Sequence, residues 1–259
     1  MWSVTTTGRP NRFERPRLPK VIATQESTTS PDPGSLTREP GPDDVTNTTG
    51  RPVLRGWFHL VAFTVALVAG PLLVAQAPSS TIALSLVVYV LSLIALFGVS
   101  AAFHRVTWSP AGRRRMRRAD HTTIFLAIAG TYTAVAVLAL SGWAMILVLL
   151  LVWLGGAAGV AVRQLWLTAP KWAVAIPYVV VGWSALAVMP QLLHGLGGVG
   201  FTLLVIGGAS YTVGALVYAL RKPDPFPGVF GYHEVFHALT IVGATLHFIV
   251  IAWIALPRA

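Results

Sequence analysis

The chain has no cysteine, which excludes disulfides, thiolate metal sites and a cysteine nucleophile. A metal held here has only histidine, carboxylate and water to draw on. Acidic residues are almost as scarce. Of nine, six (Glu14, Glu26, Asp32, Glu39, Asp43 and Asp44) fall in the first fifty residues, leaving Asp120, Asp224 and Glu234 for the rest of the chain. Charged residues make up 11% of the sequence and hydrophobic residues 54%, where a soluble domain carries roughly a quarter charged. That balance excludes a soluble globular protein and points to a polytopic membrane protein. A glycine-rich phosphate loop and a dinucleotide-binding pattern are also missing. The net charge of +10 needs no nucleic-acid partner, because the excess of Lys and Arg in cytoplasmic membrane loops accounts for it.

What is present begins with a tail. Residues 1–50 are rich in Pro, Thr, Arg and Gly and have hardly a hydrophobic cluster. Such a segment buries too little apolar surface to offset its ordering entropy, which predicts a disordered cytoplasmic tail. No apolar core of signal-peptide type precedes Val53.

Residues 51–259 form the second part, a membrane domain. Apolar runs of about 20 residues, the length that a bilayer core demands, are predicted near 57–76, 82–104, 121–140, 143–162, 172–190, 200–220 and 233–254. The expectation is an all-α bundle of seven transmembrane helices, with a tight turn at Ser141–Gly142 between the third and fourth. The glycine-rich run at 155–159 has a small-residue spacing suited to close helix packing. Gly130 and the Thr131–Tyr132–Thr133 run suit packing and interhelical hydrogen bonds. Trp57, Trp108, Trp143 and Trp172 fall near span ends, as an aromatic belt requires.

Basic residues orient the bundle. Arg51 and Arg55 precede the first span, and Arg105, Arg113, Arg114, Arg115, Arg117 and Arg118 lie between the second and third. Arg163 and Lys171 follow the fourth, and Arg221 and Lys222 follow the sixth. The alternate connections AQAPSST, SG and QLLHGLGGV contain no Lys or Arg, so twelve basic residues on one side face Arg258 alone on the other. The N-terminus is therefore expected in the cytoplasm and the C-terminus outside.

With this orientation the end of span two and the starts of spans three and seven share the cytoplasmic face. Ser100 and His104, Asp120 and His121, and His233 and His237 sit at those places. His233 and His237 are four residues apart, which puts both imidazoles on one helix face and supplies half of a typical zinc site. His104 completes a His₃ set with a fourth tetrahedral position open for water. Asp120 is suited to hold that water or to orient a ligand, and Ser100 to do the same from one turn below His104. Taken singly, each histidine is better explained as a polar helix end satisfied by interfacial water. Gathered in one layer they mark function, since ionisable groups are costly in a membrane.

The other histidines stand apart. His247 is ten residues past His237, about 15 Å along the helix, too far to bind the same ion. His59 opens the first span within RGWFH, which reads as a basic-aromatic interface anchor, and His194 lies in an outer connection. His121 points about 100° away from Asp120, which leaves it at best an alternative ligand. HEVFH also matches the H-E-x-x-H signature of zinc proteases, whose Glu is the general base. A third downstream ligand is not evident.

SAAFH (100–104), ADHTTIFLAIAGTYT (119–133) and GYHEVFHALTIVGATLHF (231–248) together resemble the haemolysin III family, within the wider progestin and adipoQ receptor superfamily. RGWFH at 55–59 is similar to that family's usual opening, and the likeness spans 51–255. The resemblance implies a seven-helix bundle of the bacterial plasma membrane with a cytoplasmic-side Zn²⁺. His104, His233 and His237 match the metal ligands, and Asp120 and Ser100 the polar partners of the water. It also implies two functions: cytolysis through pores or membrane damage, and lipid amide hydrolysis as in more distant relatives. A zinc-activated water facing the headgroup layer suits cleavage of an amide or ester in a membrane lipid. A pore would want a continuous polar stripe, and these spans are almost wholly Leu, Val, Ala and Ile away from the cytoplasmic layer. A receptor-like or structural zinc protein is the third class.

Reporter fusions check the orientation. Residues 115 and 225 are expected in the cytoplasm, and residues 78, 195 and 259 outside. An external reading at 115 overturns the orientation and the single-layer grouping built on it.

Overall fold

The computed structural model describes residues 52–165 and 171–259, the side chains of 163 and 171–175 excepted. The expected tail over 1–50, together with Arg51 and the side chains of Arg163, Lys171 and Trp172, lies outside what is described.

The described chain is all-α. In order it forms α1 (Trp57–Val74), α2 (Ser80–Arg105), α3 (Pro110–Ala139), α4 (Gly142–Leu165), α5 (Lys171–Gly182), a 3-10 stretch (Ser184–Val188), α6 (Met189–Leu220) and α7 (Tyr232–Ile249). A π turn (Val250–Ala255) and a short 3-10 turn (Leu256–Arg258) end it. Lipid offers the backbone no hydrogen bonds, so an apolar run has to satisfy its own N–H and C=O groups, and a helix does so within one segment. Among the described residues, six helical segments are long and apolar enough to cross a membrane.

The expected fifth span is the exception. It is divided among α5, the 3-10 stretch and the start of α6, and Ile176–Leu220 runs as one apolar segment of 45 residues. Pro177 inside α5 removes a backbone donor, and α5 has 12 residues, about 18 Å of helix, against a hydrocarbon core of about 30 Å. The outer connection expected over 191–199 is likewise helical and broken only at Gly197, whose φ of 68° bends α6. The third span also starts earlier than expected. Pro110 occupies the first turn and Ser109 Oγ accepts from the Gly112 N–H at 3.2 Å, a standard start signal. Arg113 to Arg118 therefore lie on the first turns of α3 and not in a loop.

Packing follows the chain order. α2 rests most extensively on α3, α6 on α7, and α1 contacts both α2 and α7. The core holds Leu86, Tyr89, Val148, Val188, Leu196, Val250 and Ile251, all but inaccessible. Val61, Val65, Val68 and Leu72 form an exposed stripe along α1 at helical spacing, as a lipid-facing surface does. A Cβ at Gly130 would fall 2.2 Å from Ser92 Oγ, and one at Gly159 2.2 Å from the Phe125 ring, so both small positions admit a neighbouring helix as expected. Tyr132 donates to the Gly182 carbonyl at 2.6 Å and Trp153 Nε1 to Thr133 Oγ1 at 3.1 Å, both between helices. Thr131 bonds only within its own helix. Gly142, with φ of 56°, makes the tight turn between α3 and α4.

Candidate metal centre

The site draws on the end of α2, the start of α7 and Asp120, about three turns into α3. The α2–α3 connection is four residues long, Val106 to Ser109, and Trp108 Nε1 folds back to the Ala102 carbonyl at 3.1 Å. Across the bundle, the segment before α1 pairs with the one before α7: the Val53 N–H donates to the Gly228 carbonyl at 3.1 Å and the Leu54 N–H to Val229 at 3.3 Å. The start of α1 is thereby held beside the start of α7. Gly56 makes the seam with α2. Its φ is 79°, and a Cβ there would lie 2.8 Å from His104 Cβ, so only glycine suits both the conformation and the space.

The N-terminus of α7 is secured by its own acid. Glu234 Oε2 accepts the Gly231 N–H at 2.9 Å, and Oε1 takes the Arg55 Nε–H in an ion pair from α1's leading turn. Asp224 Oδ1 accepts the Tyr232 N–H at 2.9 Å. These bonds satisfy donors that a helix start leaves unpaired, and the negative charge suits the positive end of the helix dipole. Glu234 is 1% exposed, with both oxygens committed in this way. That argues against a general-base role within HEVFH.

One turn apart on the inner face of α7, His233 and His237 meet His104 from α2. His233 and His237 are buried and His104 partly so. One nitrogen from each of the three lies within 4.8 Å of the others. The His233 Nε2 to His104 Nε2 distance is 3.2 Å, close to the roughly 3.3 Å edge of a tetrahedron built on zinc–nitrogen bonds of about 2.05 Å. His233 Nδ1 is buried without a hydrogen-bond partner. The three imidazoles are close enough to bind a metal. Tyr218 and Phe236 wall the His233 side, their rings 5.4 and 6.1 Å from it.

Ser100 is buried one turn before His104 on α2, and the Asp120 carboxylate of α3 interacts with its side chain. The five residues singled out in the sequence are thus on facing elements, with Asp120 tied in through Ser100. His121 is not one of the three close-set histidines, and its Nδ1–H donates to the Arg117 carbonyl at 2.7 Å. His247 is pinned elsewhere, its Nε2–H donating to the Leu204 carbonyl of α6 at 3.1 Å. A cleft of about 350 Å³ lined by Ser141, Gln191 and His194 lies at the other end of α3, away from the histidines.

With this geometry in view, the comparison with known sequences is direct. The family described as "Haemolysin-III related" matches residues 47–248. The chain belongs to the haemolysin III family. Hemolysin-3 of Bacillus cereus is 28% identical over 172 residues, covering 66% of this chain and 75% of that protein. The Hemolysin-3 homolog of Bacillus subtilis (strain 168) is 27% identical over 164 residues, covering 63% and 74%. Haemolysin III proteins are multi-pass membrane proteins, which agrees with the six membrane-length apolar segments. The matched region takes in α1 through most of α7 and so every residue of the histidine cluster.

One residue escaped the sequence reading. His59 is not an interface anchor: it is 3% exposed and stacks face to face on His237, ring centroids 3.9 Å apart and planes 6° apart. The available signal was RGWFH itself. Its basic and aromatic neighbours read as a headgroup anchor, and periodicity does not reveal that α1 turns this face toward α7.

Arg55 and Glu234 generate a stability test. Arg55→Met leaves a buried carboxylate without its counter-charge, a loss of about 3–5 kcal/mol. Thermal unfolding in detergent is expected to shift strongly downward. An unchanged melting temperature would show that the pair contributes nothing to the seam between α1 and α7.

Proposed function

We propose that this haemolysin III family protein is a zinc-dependent hydrolase of an amide or ester bond in a membrane lipid. The observation that carries the reading is the His104–His233–His237 cluster with the Ser100–Asp120 pair one helical turn away. The reading takes α5 with its 3-10 continuation as a seventh crossing. It thereby puts the cluster on the cytoplasmic side, where Arg105, Arg114 and Arg115 are exposed at the same helix ends.

His104, His233 and His237 would hold the ion through one ring nitrogen each. Bound there, zinc would supply Lewis acidity, polarising a carbonyl and lowering the pKa of water to about 7. Asp120 accepts the proton of the attacking water as its oxygen adds to the acyl carbon. It returns that proton to the leaving nitrogen or oxygen as the acyl bond breaks. Ser100 fixes the carboxylate's orientation through its side chain, so that proton transfer needs no rearrangement. The neighbouring phenyl and phenol rings of Phe236 and Tyr218 offer an acyl chain an apolar wall.

A second reading has its own support. His233 and His237 are 6% and 3% exposed, and such burial suits a zinc clamp that ties α2 to α7 without turnover.

Metal content separates both readings from a metal-free protein. Purified protein is expected to carry about one zinc per chain, as three-histidine sites do. His104→Ala and His237→Ala are expected to lose it and His247→Ala to keep it, and full retention in the first two variants sinks the site.

Activity then decides between turnover and clamp. Fatty acid release from a lipid panel and dye leakage from vesicles are measured side by side for wild type and Asp120→Asn. The variant is expected to keep zinc and to lose turnover by about 10²–10⁴-fold, the range of a general base. Zinc without any lipid product supports the clamp. Leakage that is indifferent to the substitution, with no lipid product, supports the cytolysis that the relatives' names suggest.

A further inference from the structure

We propose that His59 is a positioning residue of the histidine cluster, stacking beneath His237 to hold its ring for metal ligation. The inference rests on the zinc reading above and extends it to a fourth helix face, that of α1.

His59 follows Gly56 by one turn, and Gly56 presses the start of α1 against His104. The His59 ring is clamped between two others. His237 lies parallel to one face at 3.9 Å and 6°, and Phe97 of α2 meets it at 5.2 Å and 65°. Neither ring nitrogen of His59, Nδ1 or Nε2, has a hydrogen-bond partner. An imidazole buried with both nitrogens unsatisfied is costly, whereas a phenyl ring would fill the slot without that cost. Filling space therefore does not explain the residue.

His59 is not one of the three close-set ligands, so it acts through His237. A metal draws electron density out of its ligating imidazole and leaves that ring partly positive. The electron-rich face of a neutral imidazole stacked on it is then attractive, by the electrostatics that favour a cation over an aromatic face. Two phenyl rings, by contrast, avoid a face-to-face sandwich. The near-coplanar pair also fixes the His237 ring plane, and residues that orient a metal-ligating imidazole commonly set affinity as much as the ligands do.

Cobalt(II) is the probe, because its visible absorption reports ligand geometry independently of any lipid turnover. The full chain in detergent is titrated with cobalt(II), and zinc affinity is read by competition with a chelator. His59→Ala is expected to weaken binding by about 10–100-fold, the usual effect of removing a residue that orients a ligand, and to shift the visible band. His59→Phe keeps the volume, so it folds even where the alanine variant does not. It is expected to bind more tightly than His59→Ala but about tenfold more weakly than wild type. Wild-type affinity and an unshifted band in His59→Phe overturn the inference, whatever the alanine variant does. If His104→Ala abolishes binding while both His59 variants match wild type, this inference fails and the zinc reading stands. A wild-type protein that binds neither metal removes both.

Discussion

A carboxylate buried in an apolar bundle has to be neutralised where it stands, and Glu234 is that carboxylate. Its partners decide the assembly of one end of the molecule. Arg55 comes from the turn before α1, and the Gly231 N–H from the unpaired start of α7. Neither hydrogen-bond donor has an equally good alternative in lipid, so the first and last helices are drawn together at one level. The pairing of 53–54 with 228–229 and the close approach of Gly56 to His104 build on that junction. His233 and His237 face His104 because the chain is fastened beside them.

Much of the fold was legible because lipid imposes one answer on an apolar run of sufficient length. The bounds of α1, α2 and α4 fall within a few residues of the expected spans. What was not legible lay where local chemistry competes with hydropathy. Pro177 and Gly197 break helices inside apolar sequence, so α5 and α6 divide their residues differently from two equal spans. Ser109 and Pro110 start α3 well before its apolar part, because capping and fixed φ act on the backbone irrespective of side-chain polarity.

The cluster was legible for a different reason. Acidic residues and histidines are so rare inside the apolar spans that those of α2, α3 and α7 stand out. His104, His233 and His237 do converge, and Ser100 does reach Asp120. His59 was missed because one residue at the start of an apolar run carries no periodic signature. Only the azimuth of α1 against α7 shows that it lies under His237 and not among headgroups. Glu234 shows how little a short motif decides: HEVFH matches a pattern whose Glu is a base, while the unpaired donors at the helix start claim this side chain.

The cluster draws its three nitrogens from α2 and α7, the second helix and the last. A nascent chain therefore inserts most of its helices with His104 alone in place. The grouping first exists when His237 has emerged and α7 has entered the bundle beside α1. Whatever the cluster holds is thus acquired only once α7 is in place, and a product truncated anywhere before α7 keeps one of the three imidazoles. Loading therefore waits on the packing of α7, which makes occupancy of the cluster a mark of an assembled bundle.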